Sequence, residues 1–434
     1  MLDTIFALST GNVRSGVAVI RVSGPNSYKI CELFTGPLPS ERRAVHRPLV
    51  SPSDGSVLDH GLVIRFSKGR SFTGEDSVEF QIHGSRATIR AVLFAIGDTG
   101  LARMADAGEF TRRALENGRM DLSQVEALGD LIDAETETQR RQALRVLDGA
   151  LGEEVRRWRE SLIWMLAQVA VSIDFSDEDL PPDILSGIAD RGRSLLVDFS
   201  EHLRNAQVAR IIREGFYVAI IGKPNVGKST LLNQLAGREI AITSEIAGTT
   251  RDVLEVTLEV DGHAVVFLDT AGLRDADSEI EVLGVERARQ VAEDADLRLF
   301  LVQDPGETIE LGIDVRPNDI VLGAKCDLVS TFDGKAISGR TGQGVDDLLG
   351  LISEQVASYN GDSILIIGAR QRLALTEARS QLVKVLEWLP AAEVDIELVS
   401  EHLKLAVDAL DSLLGKVGIE DVLGEVFSRF CLGK

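Results

Sequence analysis

The sequence predicts a multidomain α/β plus α protein. An N-terminal α/β domain spans residues 1–118, a discontinuous helical bundle spans 119–212 and 368–434, and an α/β domain with a wound, mainly parallel sheet is inserted at 213–367. Three observations carry this reading. Short β-branched and aromatic runs bounded by Gly, Ser and Pro mark strands in the first segment. Helical apolar spacing dominates the second and the last. Between them strands alternate with helices, the signature of a βα-wound sheet.

In order, residues 17–22, 62–66 and 77–82 read as strands, and Ile89, Val92, Leu93 and Ile96 set a helix over 85–96. From 123 to about 213 the spacing is helical, with a single break at 177–183, where two prolines and a carboxylate cluster stop one helix and start another. The pattern switches abruptly at Gly215. Residues 216–221, 265–268 and 320–322 are strands, 231–235 is a helix, and after Arg370 the chain is helical again. Helices on both sides of one α/β unit imply a bundle completed by the C-terminal segment.

Composition narrows the function. The 434 residues carry 46 Lys and Arg against 68 Asp and Glu, a net charge of −22. That excludes a bulk cationic surface for nucleic acid, so any such contact is a local patch. Hydrophobic residues at 44% and charged residues at 26% exclude a disordered chain. Three cysteines, Cys31, Cys326 and Cys431, are too dispersed for a zinc knuckle and odd in number for a disulfide framework, which fits a reducing cytoplasm. The start of the sequence is not basic, and the apolar run 162–175 is interrupted by Gln168 and Asp174, so neither secretion nor a membrane span is expected. Cys431 stands fourth from the end, but Gly433 and Lys434 fit a prenylation box poorly.

The inserted domain carries the clearest chemistry. The strand 216–221 runs into Gly222-Lys-Pro-Asn225-Val226-Gly227-Lys228-Ser229-Thr230 and then a helix, the GxxxxGK[ST] phosphate loop in the context that it requires. Its N–H groups curl around phosphate oxygens, Lys228 reaches the β/γ-phosphates, and Ser229 offers a hydroxyl to Mg²⁺. Downstream stand Gly248-Thr249-Thr250-Arg-Asp, Asp269-Thr270-Ala271-Gly272 and Lys325-Cys-Asp327. Asp269 can hold the Mg²⁺ shell through water, Gly272 can offer its N–H to the γ-phosphate, and Thr250 can close over the ion. The two oxygens of Asp327 match the paired N–H donors of guanine, whereas adenine leaves a carboxylate unpaired at roughly 1–3 kcal/mol, so GTP is preferred over ATP. The domain is a P-loop GTPase in pattern.

Departures also matter. Ala324 stands where guanine-reading loops carry Asn, which predicts weaker nucleotide binding, and Ser338-Gly339-Arg340 replaces the usual Ser-Ala-Lys. Leu273 follows Asp-Thr-Ala-Gly and cannot orient water, leaving Asp275, Asp277, Glu279 and Glu281 as candidates. On spacing alone a solvated acidic loop is the stronger reading of these four. Asn225 could help to hold a monovalent cation where an arginine finger's charge would lie.

With these residues in view, the chain resembles the tRNA-modification GTPase family MnmE (TrmE) from end to end. The carrying segments are Asp3-Thr-Ile-Phe-Ala, Ile20-Arg21-Val-Ser-Gly-Pro, Ser71-Phe-Thr-Gly-Glu-Asp, Gly108-Glu-Phe-Thr-Arg-Arg-Ala, Asn117-Gly-Arg-Met-Asp-Leu, the Gly248 and Asp269 segments, and Phe427-Ser-Arg-Phe-Cys-Leu-Gly-Lys434. The resemblance implies an N-terminal tetrahydrofolate-binding and dimerisation domain, a homodimer, and a heterotetramer-type complex with the flavoprotein MnmG (GidA), FAD residing on that partner. The implied activity is K⁺-dependent GTP hydrolysis coupled to addition of an aminomethyl or carboxymethylaminomethyl group to C5 of the wobble uridine in certain tRNAs. A 5-formyl- or methylene-tetrahydrofolate would supply the one-carbon unit. By the same likeness Asn225, Ser244, Ile246 and Thr249 would surround K⁺, Ser229 and Thr250 would bind Mg²⁺, and Glu281 would orient the water. Arg21, Glu79, Arg119 and Lys434 would hold folate, and Cys431 would be the cysteine needed for modification. Taken without the family, the folate set reads as ordinary surface charge, Cys431 as a buried thiol.

For tRNA contact the arginine groups are Arg112-Arg113 with Arg119, Arg140-Arg141 with Arg145, and Arg156-Arg157 with Arg159, each more often the solvated face of a helix. The competing class is a ribosome-assembly switch, which would carry a basic RNA-binding appendage that this chain lacks. If a partner subunit supplies much of the cationic surface, tRNA binding by this chain alone is weak and salt-sensitive.

Overall fold

The computed structural model describes the chain outside residues 1–2, 12, 175–182, 239, 243–254, 270–288, 304–314, 329–334, 360–363, 367, 390–394, 416–432 and 434. Packing divides it into two compact units, residues 1–129, 146–195 and 377–434 in one, and 130–145 with 196–376 in the other.

The first unit opens with β1 (Ile5–Leu8), β2 (Ser15–Ser23), β3 (Val45–Val50), β4 (Val57–Phe66), β5 (Ser77–Gly84) and β6 (Arg103–Met104). They form one sheet in the order β3-β4-β5-β2-β1-β6, antiparallel except for the β1/β6 pair. Strand alternation sorts its faces. Ala18, Ile20 and Val22 of β2, with Val78, Phe80 and Ile82 of β5, pack in one core with Ile30 and Phe34 of helix Ser27–Thr35 and Ile89, Val92 and Ile96 of helix Arg86–Asp98. The intervening residues therefore lie on the opposite face, where the register sets Ala7, Arg21, Glu79 and Ile64 in one row. A one-residue slip of β2 would exchange the two faces, so the core fixes the place of Arg21.

Further along, helix Ala150–Asp174 packs on helix Ile396–Leu413. Its buried Leu151, Val155, Trp158, Leu162, Met165 and Val169 recur at helical spacing, matched by Val399, Leu403, Ala406 and Leu410. Arg159 Nε donates to both oxygens of Asp411 at 3.0 and 3.1 Å on this seam.

The helical stretch has more interruptions than the one break expected, and that break itself lies outside the described residues. Helices Leu122–Ile132 and Glu137–Leu147 are separate. The second is started by a reciprocal cap, in which Gln139 N donates to Thr136 Oγ1 at 3.4 Å and Thr136 N donates to Gln139 Oε1 at 3.1 Å. Residues 130–145 and helix Ala206–Glu214 belong to the second unit.

There, β7 (Phe216–Ile221), β8 (Ala241–Ile242), β9 (Glu255–Val260), β10 (His263–Asp269), β11 (Leu297–Val302), β12 (Ile320–Ala324) and β13 (Ala336–Ile337) form a sheet in the order β13-β12-β11-β7-β10-β9-β8. Strands β13, β12, β11, β7 and β10 run parallel, and β9 and β8 add an antiparallel edge. The strand order reverses between β7 and β11. Ligands of such sheets bind beyond the carboxyl ends of the strands at this switch point.

Candidate functional site

The phosphate loop follows β7 at that point. Gly222 must be glycine, because a Cβ there would stand 2.5 Å from the Leu301 carbonyl oxygen on β11. Gly227 caps helix Lys228–Ala236, whose first-turn N–H groups have no intrahelical acceptor and are available to an anion. Lys228 is buried, and its Nζ donates to the carbonyls of Gly222 and Lys223 at 2.8 and 3.0 Å. These contacts hold the ammonium across the loop mouth. Ser229 Oγ donates to Asp269 Oδ2 at 2.7 Å, which joins the loop to the end of β10. Hydroxyl and carboxylate are the hard oxygen donors that suit Mg²⁺. Asn225 adopts a left-handed φ of 61° within the loop.

Beside the loop lies an open pocket. Val226, Gly227 and Thr230 line one side, and Ala324, Lys325, Asp327, Ser338, Gly339 and Arg340 line the other, with apolar Leu231, Leu301, Leu328 and Ile337 between. Eight of the nucleotide residues expected from sequence thus meet in one place. The Ala324 methyl lines this pocket where an amide could have donated to a base. Burial and then the Asp327 charge push the neighbouring Cys326 thiol up, so it stays protonated near neutrality. Ser244, Ile246, Thr249, Thr250, Thr270, Ala271, Gly272, Glu281, Cys431 and Lys434 lie outside the described residues.

A second charged site lies on the first sheet. Arg21 and Glu79, cross-strand partners on β2 and β5, pair at 2.9 Å and are largely shielded from solvent. The Arg21 guanidinium stands 4.9 Å from the Phe72 ring centre and 5.6 Å from that of Phe110. Gly74 backs onto Arg119, since a Cβ there would come within 3.0 Å of Arg119 Cγ. Segment 71–76 therefore abuts both Arg21, through Phe72, and Arg119, through Gly74. The buried backbone of Gly433 approaches the same sheet, because a Cβ at its φ of +94° would stand 1.9 Å from the Leu8 carbonyl oxygen.

What holds segment 71–76 escaped the sequence reading. Ser23 Oγ donates to Glu75 Oε2 at 2.8 Å and lies 2.7 Å from Thr73 Oγ1. Arg113 pairs with Glu75 at 3.2 Å, with Glu109 at 2.9 Å and with Asp3 at 2.7 Å. Asn117 Nδ2 donates to the Thr73 carbonyl at 2.8 Å. Burial pushes the Asp3 and Glu109 carboxyls up, but hydrogen bonds from Arg103 and Arg113 outweigh it and hold both below their ordinary range. The usable signal was Asp-Ala-Gly-Glu109, since Glu109 turns back to accept from Asp106 N at 2.9 Å.

The same geometry corrects the RNA candidates. Arg113 is only 4% exposed and ion-paired, so it is not an RNA-facing residue. Arg112 pairs with Glu116, Arg140 and Arg141 share Glu137, Arg157 pairs with Glu154, and Arg159 pairs with Asp411. Hydrogen bonds from Arg140 and then Arg141 bring the exposed Glu137 carboxyl down to about 2, so it stays ionised and paired with both across the physiological range.

Residues 4–119 match the family described as GTP-binding protein TrmE N-terminus, and residues 122–431 match the MnmE helical domain. A protein of Roseobacter denitrificans called tRNA modification GTPase MnmE is 49% identical, with 100% of both chains covered. The proteins of that name from Cereibacter sphaeroides (strain ATCC 17029) and Caulobacter vibrioides are 48% and 44% identical, again over 100% of both chains. A solved structure of Aquifex aeolicus Era is 27% identical over 38% of this chain and 66% of that one, with a TM-score of 0.24, and contributes nothing to the assignment.

Proposed function

Because the chain belongs to the MnmE family of tRNA modification GTPases, we propose that its GTP hydrolysis serves one-carbon transfer to C5 of the wobble uridine, with a tetrahydrofolate donor and the flavoprotein MnmG as partner. The chain is a GTP hydrolase of tRNA modification.

In this reading Lys228 and the loop N–H groups neutralise the phosphates, Asp327 selects guanine, and Ser229 with Asp269 and Thr250 hold Mg²⁺. Bound Mg²⁺ would neutralise charge that develops on the β/γ-phosphate oxygens. Asn225, Ser244, Ile246 and Thr249 are proposed for K⁺ and Glu281 for the attacking water. GTP is the substrate of the second unit, and a homodimer joined by the N-terminal domains is the expected assembly.

On the first sheet Arg21, Glu79, Arg119 and Lys434 are assigned to folate and Cys431 to the modification step. A carboxylate suits the amino and N–H donors of a reduced pterin, and cations suit its glutamyl tail. The observation that carries this assignment is the close approach of Gly433, the neighbour of Lys434 in sequence, to Leu8 on the sheet that bears Arg21.

The test is the wobble nucleoside. Purified chain, FAD-loaded MnmG, GTP, K⁺, the folate donor, ammonium or glycine as the amine and unmodified tRNA should yield the C5-substituted uridine by mass analysis, and omission of folate should abolish it. Unmodified uridine in the complete mixture would overturn the reading. Gly433→Ala should lower modification more than about tenfold, because the added methyl and the left-handed φ both disfavour the native approach, while GTP hydrolysis is retained.

A further inference from the structure

The charge of −22 is unevenly placed. Residues 1–118 hold 14 Lys and Arg against 12 Asp and Glu, and residues 119–434 hold 32 against 56, so the net charges are +2 and −24. The N-terminal region is thus where an anion is least repelled.

Within it, helix Arg86–Asp98 buries Ile89, Val92 and Ile96 against the sheet and turns Arg86, Arg90 and Phe94 outward. These three recur at i, i+4 and i+8, one stripe of about 6 Å per step. Phe94 is 70% exposed, the most exposed aromatic among the described residues. Neither arginine has an ion-pair partner among those residues, unlike Arg112, Arg140, Arg141, Arg157 and Arg159 of the clusters considered above. The stripe's carboxylate, Asp98, sits one turn beyond Phe94 at the far end of the helix.

Helix stability does not explain this pattern. The first turn has no acidic residue, and Arg86 there opposes the helix dipole. An outward Phe likewise loses the burial that normally stabilises an aromatic side chain. Two unpaired guanidiniums in line with an exposed ring do suit unpaired nucleotides, the ring stacking on a base and the cations meeting its phosphates.

We propose that Arg86, Arg90 and Phe94 form a contact for a single-stranded segment of RNA. The proposal rests on tRNA being the substrate and names the part of this chain that touches it. Phosphates are held at Arg86 and Arg90, and an unstacked base lies on Phe94, with little sequence selectivity because every base offers a π-face.

The test uses the full chain and labelled unmodified tRNA, titrated from about 50 to 300 mM salt. Phe94→Ala should weaken binding about tenfold, and Phe94→Trp should restore it. Arg86→Glu with Arg90→Glu should weaken it at least tenfold and flatten the salt dependence by about 1.4 in log–log slope, two phosphates at about 0.7 each. GTP hydrolysis should not change in any of them. Wild-type affinity in both variants overturns the proposal while leaving tRNA as substrate. Loss of modification with unchanged tRNA affinity also overturns it and assigns the stripe to a protein partner. Failure of wild-type chain to bind tRNA at the lowest salt would remove the premise itself.

Discussion

The phosphate loop and the charged face of the first sheet hold a buried cation by opposite means. Lys228 is held by the backbone carbonyls of Gly222 and Lys223, a few residues away on the same loop. Arg113 is held by side chains, one of them Glu109 on its own helix and two of them, Asp3 and Glu75, from distant parts of the sequence. The first arrangement forms whenever a strand, a glycine loop and a helix follow one another. The second exists only after the sheet has assembled, so its strength depends on the fold around it.

That contrast can be broken from either side. The largest effect on stability is expected for Glu75→Ala, which removes one of the three carboxylates around buried Arg113 and an acceptor of Ser23. Because Glu109 and Asp3 remain, it should cost about 1–3 kcal/mol. Urea unfolding with amide exchange should show protection lost across β2 and β5 but kept across β7 and β11; uniform loss would mean that the network supports more than its own sheet. Next, Lys228→Ala should lower GTP hydrolysis about 100- to 1000-fold, the scale for removing one preorganised cation from phosphate chemistry. Circular dichroism should be unchanged, since backbone carbonyls lose a donor at a site that water can reach.

Smaller effects sharpen the same distinction. Ala324→Asn adds a donor to the base pocket and should tighten GDP binding about 2- to 10-fold, one net hydrogen bond, by calorimetry. Unchanged affinity would show that the missing amide is of no consequence here. Acid should act on the first sheet. Asp3 and Glu109 have folded pKa values below their ordinary 3.8 and 4.5, so their contribution is complete above those values and is lost as pH falls through the lower, folded ones. The melting temperature should therefore drop below about pH 4.5, less steeply in Glu109→Gln, and by a small amount because Asp3 is half exposed.

Legibility from sequence follows the same division. The phosphate loop, β7 and the base-reading segment were readable because each is one continuous run whose chemistry requires its order. The strand β7 has the predicted bounds, 216–221. On the first sheet β2, β5 and helix Arg86–Asp98 were readable from periodicity, but β1 is four residues long and β3 contains Pro48, which a strand tolerates at a sheet edge and which hid it. Helix starts at Asp121 and Thr136 did carry a readable signal, a cap followed three residues later by Gln, that the apolar spacing overrode. The ion-pair network could not be read, because no spacing links Asp3, Glu75 and Arg113.

The approach of Gly433 to Leu8 also sets a timetable. The two residues are roughly 400 apart, and a ribosome adding about 5–20 residues each second needs about 20–80 s between them. The sheet's first strand thus waits for this neighbour until roughly 400 further residues have been added. A chain released before residue 433 can hold a finished phosphate loop and still lack that contact, so nucleotide turnover alone cannot report that residue 433 was reached.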